Sequence, residues 1–385
     1  SLDANYAGAV SIYVQDTTKY SKYKNNIKII SSDNINKNRL LFKNKNYILD
    51  FCNKYQNYKI DIIEIHNRPE YLTYIKKFFP NTKIKLFFHN DPLLLRGSES
   101  IKERETIIKN CNAIIFISRW VQKMFYSGLK NIDISNSKIL PHGVNKNKKI
   151  NIYKKEKNIL FVGKLNKAKG YDIFCETALK FKKHDPSWNF LAIGNETRKE
   201  IFPSENSVKE LGYLKNSDVL RFYEKSEIAI GNSVWEEPLG RIAIEASSRK
   251  CLPIISNKAG LSESKKIAYV LKKNTSNEIY EYLKKITSNH KYRHKKQILF
   301  YNNNNFDLKK ITNDLDNLRN DFLNDKNQHT FSKNRKILHI SNFNENSDGR
   351  LFYSFANKLN NGFIKNNHIV EIISDRFYLK SNKTI

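Results

Sequence analysis

The chain has one methionine, Met124, among 385 residues, and it opens on Ser1. A native start is therefore absent, and the expectation is a piece of a longer product. Cysteine is scarce too: Cys52, Cys111, Cys175 and Cys251 are far apart and no C-x-x-C pair exists. That spacing argues against zinc and disulfide frameworks and fits reduced thiols in a cytoplasmic protein. His290 and His294 stand four apart, but no third ligand accompanies them, so no metal ligand is assigned. No apolar run approaches 18 residues and no secretory signal opens the chain, which excludes a transmembrane helix. Acidic residues are outnumbered, 38 against 68 Lys and Arg, for a formal charge of +30. The excess attracts polyanions such as anionic lipid or phosphorylated glycolipid, or it reflects the composition of an AT-rich genome, since Lys, Asn, Ile and Tyr are abundant throughout. No zinc finger, RNP string or GXXG loop accompanies the charge, so nucleic acid is not an expected partner.

What is present is alternation. Short apolar strands are expected at 27–30, 60–65, 84–89, 113–117 and 138–140, and a second series at 158–162, 189–193, 227–231, 252–255 and 268–271. Helical patterns at 171–183, 217–225 and 241–249 lie among the second series. Strand–helix alternation with buried apolar runs indicates α/β structure with parallel sheets covered on both faces. The polar stretch 145–157 separates the two series and reads as an interdomain linker. Two Rossmann-like halves follow. The first half begins on a glycine and helix (A-G-A-V-S-I-Y-V) without the strand that should precede them. At the far end, 336–343, a helix marked by Leu351, Phe355 and Leu359, and 369–373 make a lone strand–helix–strand unit. Either it starts a further domain, or its first strand fills the vacant slot in the first sheet. Residues 302–327 are polar, as a helical tail or linker would be.

Two motifs carry chemistry. In S-V-W-E-E-P-L-G-R-I-A-I-E-A, residues 233–246, Glu237 and Glu245 stand eight apart around Pro238 and Gly240. A Pro-x-Gly step opening a helix leaves backbone N–H groups free to hold an anion. Eight helical residues span about 12 Å, which suits a nucleotide sugar with its diphosphate in the middle. In F-V-G-K-L-N-K-A-K-G, 161–170, a strand ends at Gly163 and is followed by Lys164 and Lys169. Two cations converging on a diphosphate would stabilise a departing nucleotide. The plain alternative for each motif is a solvated face.

Together the motifs resemble the retaining GT-B glycosyltransferases of family four type (glycosyl transferases group 1). E-P-L-G-R-x-x-x-E-A is close to that family's E-P-F-G-R-x-x-x-E-A, with Leu239 for phenylalanine. G-K-L-x-x-x-K-G is similar to its G-R-L-x-x-x-K-G, with Lys164 for arginine, which loses the bidentate fork. L-P-I-I-S-N-K-A-G-L-S-E resembles P-V-I-x-x-x-x-G-G-L-x-E, with Ala259 in place of the first glycine and Lys250 where a glycine usually precedes the strand. L-P-H-G-V-N, 140–145, resembles I-P-N-G-V-D. The resemblance implies that Glu237 contacts donor-sugar hydroxyls and Glu245 the ribose. It places N–H groups near Leu239, Gly240 and Arg241 at the diphosphate, beside Gly163, Lys164 and Lys169. Gly260 would turn near the donor. In the first half, I-H-N-R-P-E and F-H-N-D-P end strands in polar residues, where open α/β sheets bind ligands. His66, Arg68 and Asp91 are candidate substrate contacts, and the resemblance puts His89 near the transferred sugar.

The expectation is thus a GT-B fold with 1–147 as the acceptor-side domain, 148–327 as the donor domain, and 328–385 as the start of a second transferase. It would move a sugar from a nucleotide donor to a glycan or glycolipid hydroxyl with retention, without metal or other cofactor, in cell-envelope polysaccharide or lipopolysaccharide synthesis. Alternatives are a sucrose- or glucan-type transferase and a nonenzymatic polyanion-binding protein. Peripheral attachment to an anionic inner membrane face would use 71–85, whose alternative is an ordinary helix burying Leu72, Ile75 and Phe79.

Overall fold

The computed structural model describes residues 8–31, 39–41, 47–130, 133–196, 207–324, 336–341, 355–365 and 369–374. It divides into two compact units: Ser1–Lys45 with Glu64–Leu72 and Ile84–Leu318, and Asn46–Ile63 with Thr73–Lys83 and Arg319–Ile385.

The chain opens with α1 (Ala9–Tyr20), the short parallel pair β1 (Ile29–Ser31) and β2 (Arg39–Leu41), and α2 (Tyr47–Tyr55). Next come β3 (Ile62–His66), α3 (Leu72–Phe78), β4 (Lys83–Phe88), α4 (Ile101–Asn110), β5 (Ala113–Phe116), α5 (Arg119–Tyr126) and β6 (Ser137–Ile139). Strands β3-β4-β5-β6 form one sheet in that order. β5 reads A-I-I-F and is buried at every position, as a parallel strand covered on both faces requires. β3 is the edge among the described strands and is only partly buried. The sequence lacks the strand that should precede Gly8 in such a half. Residues 1–7, where it would lie, are outside the described residues.

The second sheet is built from β7 (Glu156–Val162), α6 (Tyr171–His184), β8 (Asn189–Ile193), β9 (Val208–Glu210), α7 (Asn216–Lys225) and β10 (Ser226–Gly231). It is completed by α8 (Arg241–Ser248), β11 (Leu252–Ile255), β12 (Tyr269–Val270), α9 (Ser276–Ser288), α10 (His290–Asn303) and α11 (Leu308–Asn324). Its strand order is β12-β11-β10-β7-β8-β9, with every pair parallel. One face buries Phe161, Phe174, Phe181, Trp188 and Phe190, the other Leu160, Tyr223, Ala246 and Cys251.

The supposed linker is tied down. Val144 bridges Asp307, Asn147 donates its N–H to the Ser248 carbonyl, and Lys250 Nζ donates to the Ile150 carbonyl at 2.8 Å. Of the polar stretch 302–327, residues 302–324 are described and are no free tail either, while 325–327 lie outside the described residues. α11 buries Leu308, Ile311 and Leu315, and its Asp316 accepts from Ser21 Oγ at 2.7 Å and the Lys22 N–H at 2.8 Å. A helix whose apolar residues recur at i+3 and i+7 hides its stripe among many polar residues.

In the second unit, Phe51 of α2 packs on Phe79, with ring centroids 5.6 Å apart. β13 (Lys336–Ser341), α12 (Phe355–Lys365) and β14 (Ile369–Ser374) follow the expected strand–helix–strand order, with β13 parallel to β14; residues 342–343 and Leu351 of that expectation lie outside the described residues. Lys365 Nζ donates to the Phe78 carbonyl at 2.7 Å. Among the described residues β13 pairs only with β14 and does not join the four-stranded sheet. Leu72, Ile75 and Phe79 are buried, so the 71–85 segment turns its apolar positions inward and exposes Tyr74 and Lys77. No described helix is long and apolar enough to cross a membrane.

Candidate active site

β7 runs out at Val162, and Gly163 still donates its N–H to the Ile193 carbonyl of β8 at 3.0 Å. A Cβ on Gly194 would lie 1.7 Å from the Gly163 carbonyl, so these two strand ends approach as only glycine allows. Asn166 then caps a single 3-10 turn, its side chain accepting from the Lys169 N–H at 3.1 Å. Gly170 follows at φ +76 and opens α6.

This turn is stitched to the loop after β10. Asn232 Nδ2 donates to the Gly170 carbonyl at 2.7 Å, and the Val234 and Trp235 N–H groups donate to the Ala168 carbonyl at 3.0 and 2.9 Å. The result brings Lys169 Nζ into an ion pair with Glu237. Two motifs 68 positions apart in sequence thus meet in one place. Lys164 stays solvent-exposed at the mouth of the turn.

Beyond Glu237 the loop is pinned by hydrogen bonds. The Leu261 N–H donates to the Glu237 carbonyl at 3.1 Å, and Ser118 Oγ donates to the Pro238 carbonyl at 2.6 Å. Gly260 is buried here: a Cβ would meet the Pro238 carbonyl at 1.8 Å. Leu239 is buried and Gly240 takes φ +73, which starts α8 at Arg241. Arg241 reaches one turn along to Glu245, with Nη2 2.8 Å from Oε1, and Asn216 Nδ2 donates to the same oxygen at 3.1 Å. Glu263 does not face this loop; its carboxylate accepts from the Arg119 and Trp120 N–H groups at 3.1 and 2.7 Å and so caps α5.

Opposite lie the ends of β3 and β4. Asn67, at φ +59, accepts with Oδ1 from the His89 and Asn90 N–H groups at 3.1 and 3.2 Å, joining the two polar strand ends. His66 Nδ1 is 3.1 Å from His89 Nε2, and His89 Nδ1 is 2.9 Å from His142 Nε2. His142 Nδ1 in turn lies 3.5 Å from Arg241 Nη1. Burial first, then the neighbouring cations and imidazoles, pushes His89 and His142 well below the usual histidine range. Asp91 turns back to accept from the Leu93 N–H at 3.0 Å, which makes it a local cap. Arg68 is exposed. Asp16 on α1 is raised above the usual carboxylate range by burial, an effect that Arg241 opposes.

The residues expected from the sequence thus fall into two groups. Gly163, Lys169, Glu237, Leu239, Gly240, Arg241, Glu245 and Gly260 share one loop system with Lys164 at its edge, while His66 and His89 stand across from Arg241. His89 has both ring nitrogens occupied by other histidines and is buried. His142, Tyr13, Asp16, Asn216 and Asn232 were not anticipated. His142 had a visible signal, since it stands where the related string carries asparagine.

Residues 145–298 match the family described as Glycosyl transferases group 1. In Bacillus subtilis (strain 168), spore coat protein SA is 24% identical over 240 residues, 53% of this chain and 62% of that protein. The putative glycosyltransferase YtcC of the same strain is 21% identical, over 53% of this chain and 57% of its own. The chain therefore spans about 60% of the length of these relatives. Among solved structures, HepE of Anabaena in complex with UDP-glucose superposes with a TM-score of 0.68 at 14% identity, over 82% of this chain and 97% of HepE. Sucrose-phosphate synthase from Thermosynechococcus elongatus gives 0.64 at 13% identity, over 82% and 94%.

The chain has the GT-B fold. Its segment 145–298 is similar to the glycosyl transferases group 1 family. Within the GT-B frame, that segment holds the Lys169–Glu237 and Arg241–Glu245 pairs. His66, His89 and His142 belong to the part of the chain before it.

Proposed function

We propose that this protein is a retaining glycosyltransferase that moves a sugar from a nucleoside-diphosphate donor to an acceptor hydroxyl in cell-envelope glycan assembly. The observation that carries the reading is the Lys169–Glu237 ion pair beside the N-terminus of α8. A cation, a carboxylate and the N–H groups that open a helix together suit the charged centre and flanking hydroxyls of a nucleotide sugar.

In this reading the diphosphate sits at the start of α8, near Leu239, Gly240 and Arg241. Lys169, Lys164 and Arg241 take up the negative charge that develops on the leaving nucleotide. Glu237 accepts from sugar hydroxyls and holds Lys169 in place before the donor arrives. Glu245 accepts from the ribose and orients Arg241. His66, His89 and exposed Arg68 lie on the acceptor side, and the transfer needs no metal because protein cations carry the charge. Residues 1–147 serve the acceptor, 148–327 the donor, and 328–385 begin another transferase domain. HepE is known in complex with UDP-glucose and with UDP, which supports a UDP-sugar. A relative described as a 42.6 kDa protein in the cps region of Klebsiella pneumoniae, 30% identical over 118 residues, supports an envelope glycan.

The test is a panel of UDP-, GDP- and ADP-sugars, read by thermal shift and by transfer or hydrolysis with glycolipid and soluble acceptors. One nucleotide class should stabilise the protein and be consumed, with activity surviving EDTA. No stabilisation by any member would defeat the reading, and activity restored only by manganese or magnesium would defeat its metal-independent form.

A further inference from the structure

Three histidines from separate segments stand in file with the guanidinium of Arg241. The contacts run from Arg241 Nη1 to His142 Nδ1 (3.5 Å), from His142 Nε2 to His89 Nδ1 (2.9 Å), and from His89 Nε2 to His66 Nδ1 (3.1 Å). Tyr13 of α1 packs over the file, with ring centroids 4.9 Å from His142 and 5.0 Å from His89.

The direction of this file follows from donor chemistry. A guanidinium only donates, and a neutral imidazole has one donor and one acceptor nitrogen. His142 Nδ1 must therefore accept, which leaves its proton on Nε2. That proton is given to His89 Nδ1, so His89 carries its own on Nε2 and gives it to His66 Nδ1. One residue at one end thus orients the rings behind it. An added proton anywhere in the file reverses every bond toward Arg241 and ends with a His142 N–H aimed at a guanidinium N–H. Burial works in the same direction on His89 and His142. The charged groups that face Arg241 are Glu245 on its own helix and Asp16 on α1, and Asp16 in turn faces Lys19.

We propose that His142 is a positioning residue for the transfer reaction, reading the place of the Arg241 guanidinium and fixing the tautomer of His89. This rests on the proposed glycosyltransferase reading. A diphosphate at the N-terminus of α8 competes with His142 for Arg241, so arrival of the donor unlocks the file on the far side of the site. The histidine standing where related strings carry asparagine is what makes the link: asparagine is too short to reach both Arg241 and His89.

The test combines imidazole 15N NMR on the full chain, labelled at histidine, with kinetics. Without ligand, His89 and His142 should both be Nε2–H tautomers, and saturating UDP should shift the His142 Nδ1 resonance. Arg241→Met should leave His142 in mixed tautomers. An Nδ1–H tautomer of His89 in the unsubstituted protein, or spectra of His142 and His89 unmoved by Arg241→Met, would overturn the proposal. His142→Gln places an amide N–H near the Nε2 position and can still donate to His89; His142→Asn keeps only an acceptor near Nδ1. The Asn variant should lose kcat on the order of tenfold with little change in donor KM, and the Gln variant should keep most of it. Equal losses in two variants of equal melting temperature would reduce His142 to packing and overturn the role. Failure of the unsubstituted protein to use any nucleotide sugar would defeat the proposed function, while the tautomers would still decide the file.

Discussion

At the scale of single residues, the site is made of pairs. Lys169 is held by Glu237 with about a third of its side chain exposed, so the pair itself contributes little to stability. Under the proposed function its value is to keep a cation waiting where phosphate would bind. Lys169→Ala should weaken UDP binding by roughly 1.5–3 kcal/mol, the loss of a charge-assisted hydrogen bond, in a calorimetric titration. Unchanged affinity would move the diphosphate elsewhere. The histidines make a second prediction. His89 and His142 are held neutral, well below 6.5, while the unfolded chain titrates near that value. Below pH 6.5 the unfolded state therefore binds protons that the folded state refuses. Stability should be flat from these groups above pH 6.5 and fall as pH drops below it, by up to about 1.4 kcal/mol per pH unit for each histidine. Urea unfolding at pH 7.5 and 5.5 reads this, and His142→Gln should remove about half of the fall. A variant with the same acid dependence as the parent would show that His142 contributes none of it.

Among the elements, strands and helices that carry apolar periodicity appear where the pattern puts them: β8, β11 and α6 begin and end within a residue of their expected positions. The pattern misses β9, which reads V-K-E, and β2, which is three residues long; neither offers enough alternation to stand out. The loops hold a subtler point. Lys250 and Ala259, the two positions where related strings carry glycine, take φ +51 and +42. The backbone is left-handed at both positions although neither holds glycine, the residue suited to it. Such a conformation costs a side-chain-bearing residue roughly 1–2 kcal/mol, partly offset by the extra freedom glycine loses on folding. Ala259→Gly should therefore raise stability by up to about 1 kcal/mol, seen as a higher melting temperature. A lower one would mean that the Ala259 methyl group makes a contact worth more than the strain. Lys250 is different, since its ammonium also holds the Ile150 carbonyl and lies over the Tyr301 ring.

For the whole molecule, α11 matters more than its composition suggests. It buries Leu308, Ile311 and Leu315 and grips Ser21 and Lys22 through Asp316. Ending the chain after Lys326 should leave UDP binding and the main unfolding transition intact. Ending it after Asn303 removes those three buried side chains, each worth about 1.5–3 kcal/mol, and should lower the transition sharply. Loss of UDP binding on ending the chain after Lys326, with α11 retained, would show that β13–α12–β14 belongs to the donor-binding body.

What the sequence determined by itself was whatever is local or periodic. Apolar runs bounded by turns specify parallel strands, and Pro238-x-Gly240 specifies the start of α8, because these depend on neighbours a few residues away. The motif strings also named most of the residues around Glu237 and Lys169. Tertiary structure alone decided what those residues touch. Nothing local joins Lys169 to Glu237, sets Glu263 to capping α5 rather than facing the Glu237 loop, or threads Arg241, His142, His89 and His66 into one file. Those contacts exist because parallel strands distant in sequence end side by side, and because a buried donor or acceptor must find its partner wherever the fold places one.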